Sequence, residues 1–273
     1  MPPPDISQFS PASRPPTGKS PDQIRRVVVA QWGRTYAEAL TAVCRRAFPL
    51  AEISPCCSGA ETLAALRKEP ADVLLIALTF PDTDGVDLLP LIARENLATR
   101  VLVASHRREE HSLQALRAAR FDGLIDTLEE SVETLISALH LVANGEPYIS
   151  PTLRGAVIDR PVPGIVMQKL TPMETRVLAE LGDGSNNPAV ASRLGLSAAT
   201  VQTHRRNLMH KLGLHNGGQL VCAAIRLGLV RITPDGRAIR PGFAMLSAQR
   251  RRTSSPAAAY PARGNQQRSR RSA

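Results

Sequence analysis

The side chains best suited to recognise a polar ligand lie together on one predicted helix near the end of the chain. A helical wheel over residues 198–212 at 100° per residue puts five of them on one face: Ala199, Gln202, Thr203, Arg206 and His210. Gln and Arg carry forked donors that fit base edges or phosphates, and a small residue near the helix start lets the helix enter a groove. The pattern predicts contact with duplex DNA, in which Gln202, Thr203 and Arg206 read bases. The alternative is an ordinary solvated helix face.

Cationic side chains flank this face. Arg193, Arg205 and Lys211 are better placed for backbone phosphates, which fix the register of a protein on DNA without reading its sequence. Asn187 on the preceding helix completes the predicted DNA-binding set.

Start and stop signals define the helices that must hold this face. Thr171, Pro172 and Glu174 form a T-x-x-E capping box with proline at the first helical position. Asn186 or Asn187 caps a second helix, which ends at Gly195, and Ser197 caps the third. A helix, a three-residue turn and a helix make a helix-turn-helix, and a fourth helix is predicted over residues 218–227.

The stretch Leu170–Val230 resembles the LuxR/NarL-type DNA-binding domain. The opening LTPMETRVL and the later Ser197, Thr200, Val201, His204, Lys211 and Leu212 match the signature of that family. The resemblance implies a four-helix domain that binds duplex DNA, expected here as a homodimer on an inverted repeat. Five positions depart from the family pattern, namely Arg176, the pair Pro188-Ala189, Gln202 and Gly217, which removes one phosphate or base contact and one structural ion pair that the resemblance would otherwise imply.

The front of the chain alternates short apolar runs with helical patterns. The runs include VVVA at 27–30, VLLIAL at 73–78, VLVAS at 101–105 and GLI at 123–125. Strands that are apolar on both faces and separated by helices indicate a parallel sheet covered on both sides. The predicted fold class is therefore an α/β doubly wound five-stranded parallel sheet, followed by an all-α four-helix domain.

The segment ADVLLIALTFPDTDG resembles the strand and loop of a response-regulator receiver that carry the phosphorylated aspartate. Asp72, Pro81, Asp84 and Gly85 match, but the phosphoacceptor position is Ala77. The acidic pair of the family falls near Gln31 and Trp32, its lysine falls near Thr127 beside Asp126, and its hydroxyl residue survives as Ser105. Phosphoryl transfer needs a carboxylate nucleophile and further carboxylates to hold Mg²⁺. The domain is predicted to be a pseudo-receiver that dimerises, docks a protein partner or binds an unidentified ligand.

Charge and proline content divide the 273-residue chain into five predicted parts. Residues 1–23 form a disordered, proline-rich leader, 24–145 the receiver-like domain, 146–169 a linker with a helical turn near Pro151, 170–232 the DNA-binding domain and 233–273 a disordered basic tail. Residues 24–145 hold 13 basic and 16 acidic residues, whereas residues 231–273 hold ten basic residues and one acidic residue. A basic rear half favours a polyanionic partner, although the tail by itself is equally explained as a solvated charge run.

Several function classes lack support in the sequence. The four cysteines form no CxxC pair and no Cys/His pattern with zinc spacing, so no metal site is predicted. No motif of an enzyme or of a nucleotide-binding site is found, so no cofactor is predicted either. No apolar run reaches the roughly 20 residues of a membrane span, which predicts a cytoplasmic protein. The run RREE at 107–110 is predicted to be a solvated loop or helix start.

The leading hypothesis is a transcriptional regulator that does not depend on phosphorylation. The alternative is an adaptor or antagonist that heterodimerises with another regulator through the pseudo-receiver.

Overall fold

A parallel sheet with helices on both faces forms the front of the molecule. The computed structural model describes residues 18–159, 170–233 and 236–240. The strands are β1 (Arg26–Ala30), β2 (Glu52–Cys56), β3 (Ala71–Ala77), β4 (Ala98–Ala104), β5 (Gly123–Ile125) and β6 (Tyr148–Ile149). Their spatial order is β2-β1-β3-β4-β5-β6, and every pairing is parallel. The doubly wound class is confirmed.

The prediction of five strands was wrong by one. The additional strand β6 pairs with β5 through Gly123–Tyr148 and Leu124–Ile149. It lies within the segment predicted as a linker, where Pro147 and Pro151 leave only a two-residue apolar run. Such a run is too short to stand out as a strand from its sequence pattern.

The helices of the front domain cover both faces of this sheet. They are α1 (Arg34–Ala47), α2 (Gly59–Lys68), α3 (Gly85–Arg94), α4 (Glu110–Ala118) and α5 (Val132–Ala143). Successive strand residues point to opposite faces, so Val28 and Leu74 enter one buried cluster while Val27 and Val73 enter the other. Two separate cores explain why β1, β3 and β4 are buried at nearly every position, whereas the edge strand β2 is mostly exposed or half-buried.

The predicted linker begins as part of the front domain. After β6, residues Pro151–Arg154 form the short helix α6, which continues as a π-helical turn over Gly155–Asp159. Leu153 and Val157 are buried in the same cluster as Val28. The predicted helical turn near Pro151 is therefore present, but it is packed against the domain.

Four helices form the rear domain, as predicted. They are α7 (Pro172–Leu181), α8 (Asn187–Leu194), α9 (Ala198–Leu212) and α10 (Gly217–Arg226). The Thr171 and Glu174 side chains make both hydrogen bonds of the capping box. Asn186, not Asn187, caps α8, and Ser197 caps α9. Gly195 ends α8 in the left-handed conformation at φ +66°, which glycine adopts without strain.

The ends of the described chain differ from the predicted boundaries. Residues 18–23, predicted as the end of the leader, contact the front domain, because Lys19 lies 2.5 Å from Asp72. After α10, Arg231–Ile232 (β7) pairs with Ala238–Ile239 (β8) in a small antiparallel sheet. Leader residues 1–17, linker residues 160–169 and tail residues 234–235 and 241–273 lie outside the described residues.

Among the helices in these described ranges, none is both long enough and apolar enough to cross a membrane.

Candidate nucleic-acid interface and receiver edge

Helix α9 presents a continuous polar surface, here called the reading face. Its five residues are all exposed: Ala199, Gln202, Thr203, Arg206 and His210. The opposite side of α9 is anchored by Val201 and Leu208, which are fully buried. The rotation of the helix is therefore set by the core, and the structure brings together the residues predicted to face bases.

The three cations predicted to contact phosphates are engaged inside the rear domain. Arg193 Nε lies 2.6 Å from a carboxylate oxygen of Glu180, and Lys211 Nζ lies 2.8 Å from Glu174 Oε2. Arg205 Nη1 donates to the side-chain oxygen of Asn187 at 3.2 Å. These contacts join α7, α8 and α9, so the three cations help to hold the reading face in place.

Asn187 and Gln202 connect the two helices of the turn. The Asn187 side-chain amide donates to the Gln202 side-chain oxygen. Asn187 was predicted within the DNA-binding set, and the structure places its side chain between those of Gln202 and Arg205. The capping of α8 by Asn186 leaves the Asn187 side chain available for these contacts.

Lys211 and the capping box share the buried carboxylate of Glu174. Its Oε2 accepts from the Thr171 backbone N at 2.7 Å and from Lys211 Nζ at 2.8 Å. Burial by itself raises the pKa of Glu174, but the hydrogen bonds from Lys211 and Thr171 outweigh it, so that the pKa is lowered. The carboxylate is consequently charged at neutral pH, and it fixes the start of α7 against the end of α9.

Acidification is expected to destabilise the protein in part through Glu174. Its folded pKa is lowered, so its contribution is fully present above the unfolded value of about 4.3 and is lost as the pH falls through the folded value. The variant Glu174→Gln is expected to be less stable than the wild type at neutral pH, with a difference that shrinks on acidification. Thermal unfolding followed by circular dichroism across this pH range measures that difference. A difference that stays constant with pH would contradict the assignment.

The second site is the receiver edge, defined as the carboxyl ends of β3, β4 and β5 with Ala77, Asp84, Ser105 and Asp126. Ala77 ends β3 and is 6% exposed. A methyl group there has no lone pair with which to attack a phosphoryl group. Ser105 follows β4, and its hydroxyl accepts from the Arg107 backbone N at 3.1 Å.

Arg107 fills the receiver edge from the loop between β4 and α4. Its Nη1 lies 2.6 Å from Asp84 Oδ2 and donates to the Leu78 carbonyl at 3.3 Å. The side chains of Arg107 and Asp84 are only 5% and 0% exposed. Burial opposes the charge of Arg107, but Asp84 and Glu109 raise its pKa above the ordinary value. The prediction of a solvated run at 107–110 was therefore wrong for Arg107.

Arg108 makes the corresponding contact on the other side of the loop. Its Nη2 lies 2.5 Å from Asp126 Oδ2, which also accepts from Thr152 Oγ1 at 2.7 Å. Burial raises the pKa of Asp126, but these donors outweigh it and the pKa is lowered. Two consecutive arginines thus tie the loop between β4 and α4 to the ends of β3 and β5.

Asp82, a further acidic side chain in the loop between β3 and α3, is also engaged. Asp82 accepts from the backbone N atoms of Gly59 and Ala60 at 3.0 and 2.9 Å. Within the described part of the chain, no group of three His, Cys, Asp or Glu residues is arranged to hold a metal ion. The carboxylates left at the receiver edge serve as partners of arginines and backbone amides.

The two domains touch without covering the reading face. The Leu227 carbonyl accepts from the His111 backbone N at 3.1 Å. Arg231 Nη2 donates to the carbonyls of Phe80 and Thr83 at 2.6 and 3.2 Å. Gly228 allows this approach, because a Cβ at that position would lie 2.8 Å from the Glu109 Cβ. The contact lies at the end of α10, away from the exposed residues of α9.

Residues 168–224 match the protein family described as bacterial regulatory proteins, luxR family. The chain is 34% identical over 163 residues to the transcriptional regulatory protein UhpA of Escherichia coli, covering 60% of this chain and 79% of that protein. It is 30% identical over 173 residues to the probable transcriptional regulatory protein SgaR of Hyphomicrobium methylovorum, covering 62% of this chain and 78% of that protein. A solved structure of the RcsB response regulator of Salmonella typhimurium matches with a TM-score of 0.47 and 19% identity, over 74% of this chain and 98% of that one.

Proposed function

Because the chain belongs to the luxR family of bacterial transcriptional regulators, we propose that it binds duplex DNA at specific sequences through the reading face of α9. The observation that carries the proposal is the exposure of all five reading-face residues on a helix whose opposite side is locked in the core. A helix of this kind fits the width of the major groove. DNA binding is assigned to residues 170–232, and the site of action is the cytoplasm.

The proposed roles follow from the chemistry of each side chain. Gln202, Thr203 and Arg206 read base edges, since they carry the donors and acceptors that those edges match. Ala199 is small enough for close approach, and His210 lies nearer the far end of the face. The side chains of Arg193 and Lys211 are 38% and 35% exposed. Their positive charges can therefore still attract the phosphates of bound DNA.

We further propose that the protein acts as a homodimer on an inverted repeat. A two-fold protein reads a two-fold site, with half-sites about one helical turn apart. The receiver-like domain is the proposed place of dimerisation, and it is also where a protein partner or an unidentified ligand would act.

The proposed regulator works without phosphorylation. Ala77 carries no nucleophilic group. Arg107 forms an ion pair with Asp84, and Arg108 forms one with Asp126. In this arrangement the contact between the front and rear domains leaves the reading face exposed. DNA can therefore reach α9 without separation of the two domains. The finding that would favour an adaptor or antagonist instead is the failure of the folded protein to select any DNA sequence.

Incubation with acetyl phosphate and Mg²⁺ is expected to leave the intact mass of the protein unchanged, because the receiver edge offers no attacking carboxylate. A phosphorylatable receiver domain in the same tube serves as the positive control. A stoichiometric, acid-labile phosphoryl adduct on an aspartate would show that the proposal of phosphorylation independence is wrong.

Selection from a random duplex library tests the DNA-binding proposal directly. The full-length protein is used at near-physiological salt, where binding driven by non-specific charge is weakened. An enriched inverted repeat is the expected result. Folded protein that enriches no sequence would overturn the proposal and favour the adaptor.

A further inference from the structure

A chain of three polar side chains crosses the helix-turn-helix and ends on the reading face. Arg205 Nη1 donates to the Asn187 side-chain oxygen at 3.2 Å, and the Asn187 amide nitrogen donates to the Gln202 side-chain oxygen. Arg205 and Gln202 belong to α9, one turn apart, whereas Asn187 is the first residue of α8.

The order of donors along this chain follows from arginine chemistry. An arginine side chain donates hydrogen bonds and accepts none, so the Asn187 oxygen must face Arg205. The Asn187 amide nitrogen must then face Gln202, and the Gln202 oxygen must face Asn187. The two N–H groups of Gln202 are therefore not used in this network, and the residue that carries them is exposed on α9.

Gly217 gives Arg205 the room that this chain requires. A Cβ at position 217 would lie 2.3 Å from Arg205 Nη2. That atom is the tip of a flexible side chain, so an added methyl group would move the guanidinium rather than the helix backbone. The glycine at the start of α10 thus supports the orientation of Gln202 indirectly, through Arg205 and Asn187.

We infer that Gln202 determines specificity as a donor-only group and selects guanine. A glutamine that pairs with adenine uses its oxygen toward N6 and its nitrogen toward N7. Here the oxygen is engaged by Asn187, while guanine offers two acceptors, O6 and N7, to the free amide nitrogen. Asn187 acts as a positioning residue, since its amide nitrogen and oxygen are both engaged within the helix-turn-helix and its contact sets the orientation of the Gln202 amide. This inference rests on the proposed DNA-binding function and names the base that the same face reads.

Sequence selection with four proteins tests the inference. The wild type is expected to prefer a G·C pair over an A·T pair at one position of each half-site, by about fivefold or more. Gln202→Ala should remove the preference at that position alone. Asn187→Ala should reduce it and admit A·T, because the freed amide can turn to match adenine. Gly217→Ala, which displaces the Arg205 guanidinium, should shift the preference in the same direction as Asn187→Ala.

The outcomes separate this inference from the proposed function. Asn186 caps α8 through the Ala189 backbone N at 3.0 Å, so Asn187→Ala keeps the cap, and a thermal melt verifies that each variant is folded. An A·T pair at the Gln202-dependent position of the wild type would overturn the inference. An unchanged G·C preference in Asn187→Ala, or the absence of any Gln202-dependent position, would also overturn the inference. In both cases the proposed DNA-binding function would remain supported. If no sequence is enriched at all, the proposed function fails and the inference fails with it.

Discussion

Replacing Arg107 with leucine is expected to lower the free energy of unfolding by about 3–5 kcal/mol, because it leaves a buried carboxylate without its partner. Asp84 is 0% exposed and Arg107 is 5% exposed, so neither charge is solvated in the folded protein. Equilibrium urea denaturation of the full-length chain measures the loss.

An exposed pair in the same domain provides the matched control. Arg67 pairs with Glu95 at 2.8 Å, but its side chain is 51% exposed. Arg67→Leu makes the same chemical change at the surface, where an ion pair contributes up to about 1 kcal/mol. A loss in Arg107→Leu no greater than in Arg67→Leu would contradict the buried-pair account.

The double variant Arg107→Leu with Asp84→Asn separates the ion pair from other effects. Asp84 also caps α3 through the Val86 backbone N at 3.1 Å, and asparagine caps a helix about as well as aspartate. The double variant therefore keeps the cap and leaves no unpaired buried charge. We expect it to be more stable than Arg107→Leu, so that the double-mutant cycle shows strong coupling.

Replacing Arg206 with alanine is expected to weaken binding to the selected DNA by about 1–3 kcal/mol, with a smaller loss on random DNA. The reason is that a guanidinium fork matches two acceptors of one base edge, an interaction that random sequence rarely offers. Arg206→Lys keeps the charge but not the fork, so it should also lose discrimination. Competition binding at fixed salt measures both affinities.

Arg176 on α7 is the matched control for charge. It is exposed and lies outside the reading face, so Arg176→Ala removes one positive charge without removing a predicted base contact. Equal losses of Arg206→Ala on selected and random DNA would argue that Arg206 binds phosphate and reads no base.

Local patterns predicted the rear domain well, because capping acts over three residues. The reciprocal bonds of Thr171 and Glu174, the Ser197 cap and the left-handed Gly195 all follow from spacing along the chain. Strands β1, β3, β4 and β5 of the front domain were similarly visible as short apolar runs. Strand β6 was missed because its two residues, Tyr148 and Ile149, are too few to show an alternating pattern.

The contacts of the candidate sites were harder to predict, because they join residues far apart in sequence. Arg107 meets Asp84 across 23 positions, and Lys211 meets Glu174 across 37. Nothing in the run at 107–110 distinguishes a buried arginine from a solvated one until the sheet brings Asp84 to the same edge. The helical wheel placed Gln202 and Arg206 on the exposed face of α9. It could not reveal that the Asn187 side chain, on another helix, contacts Gln202.

The packing of residues 148–157 onto the sheet limits how far the DNA-binding helices can travel. Val157 is held in the front core and Leu170 in the rear core, so 13 chain steps separate the two anchors. A fully extended chain of that length spans at most about 45 Å. If the contact at Arg231 opens, Leu170 can therefore move no farther than about 45 Å from Val157. The chain between these two anchors acts as a short tether, and it sets an upper limit on the distance at which the rear domain can reach DNA while the front domain stays in place.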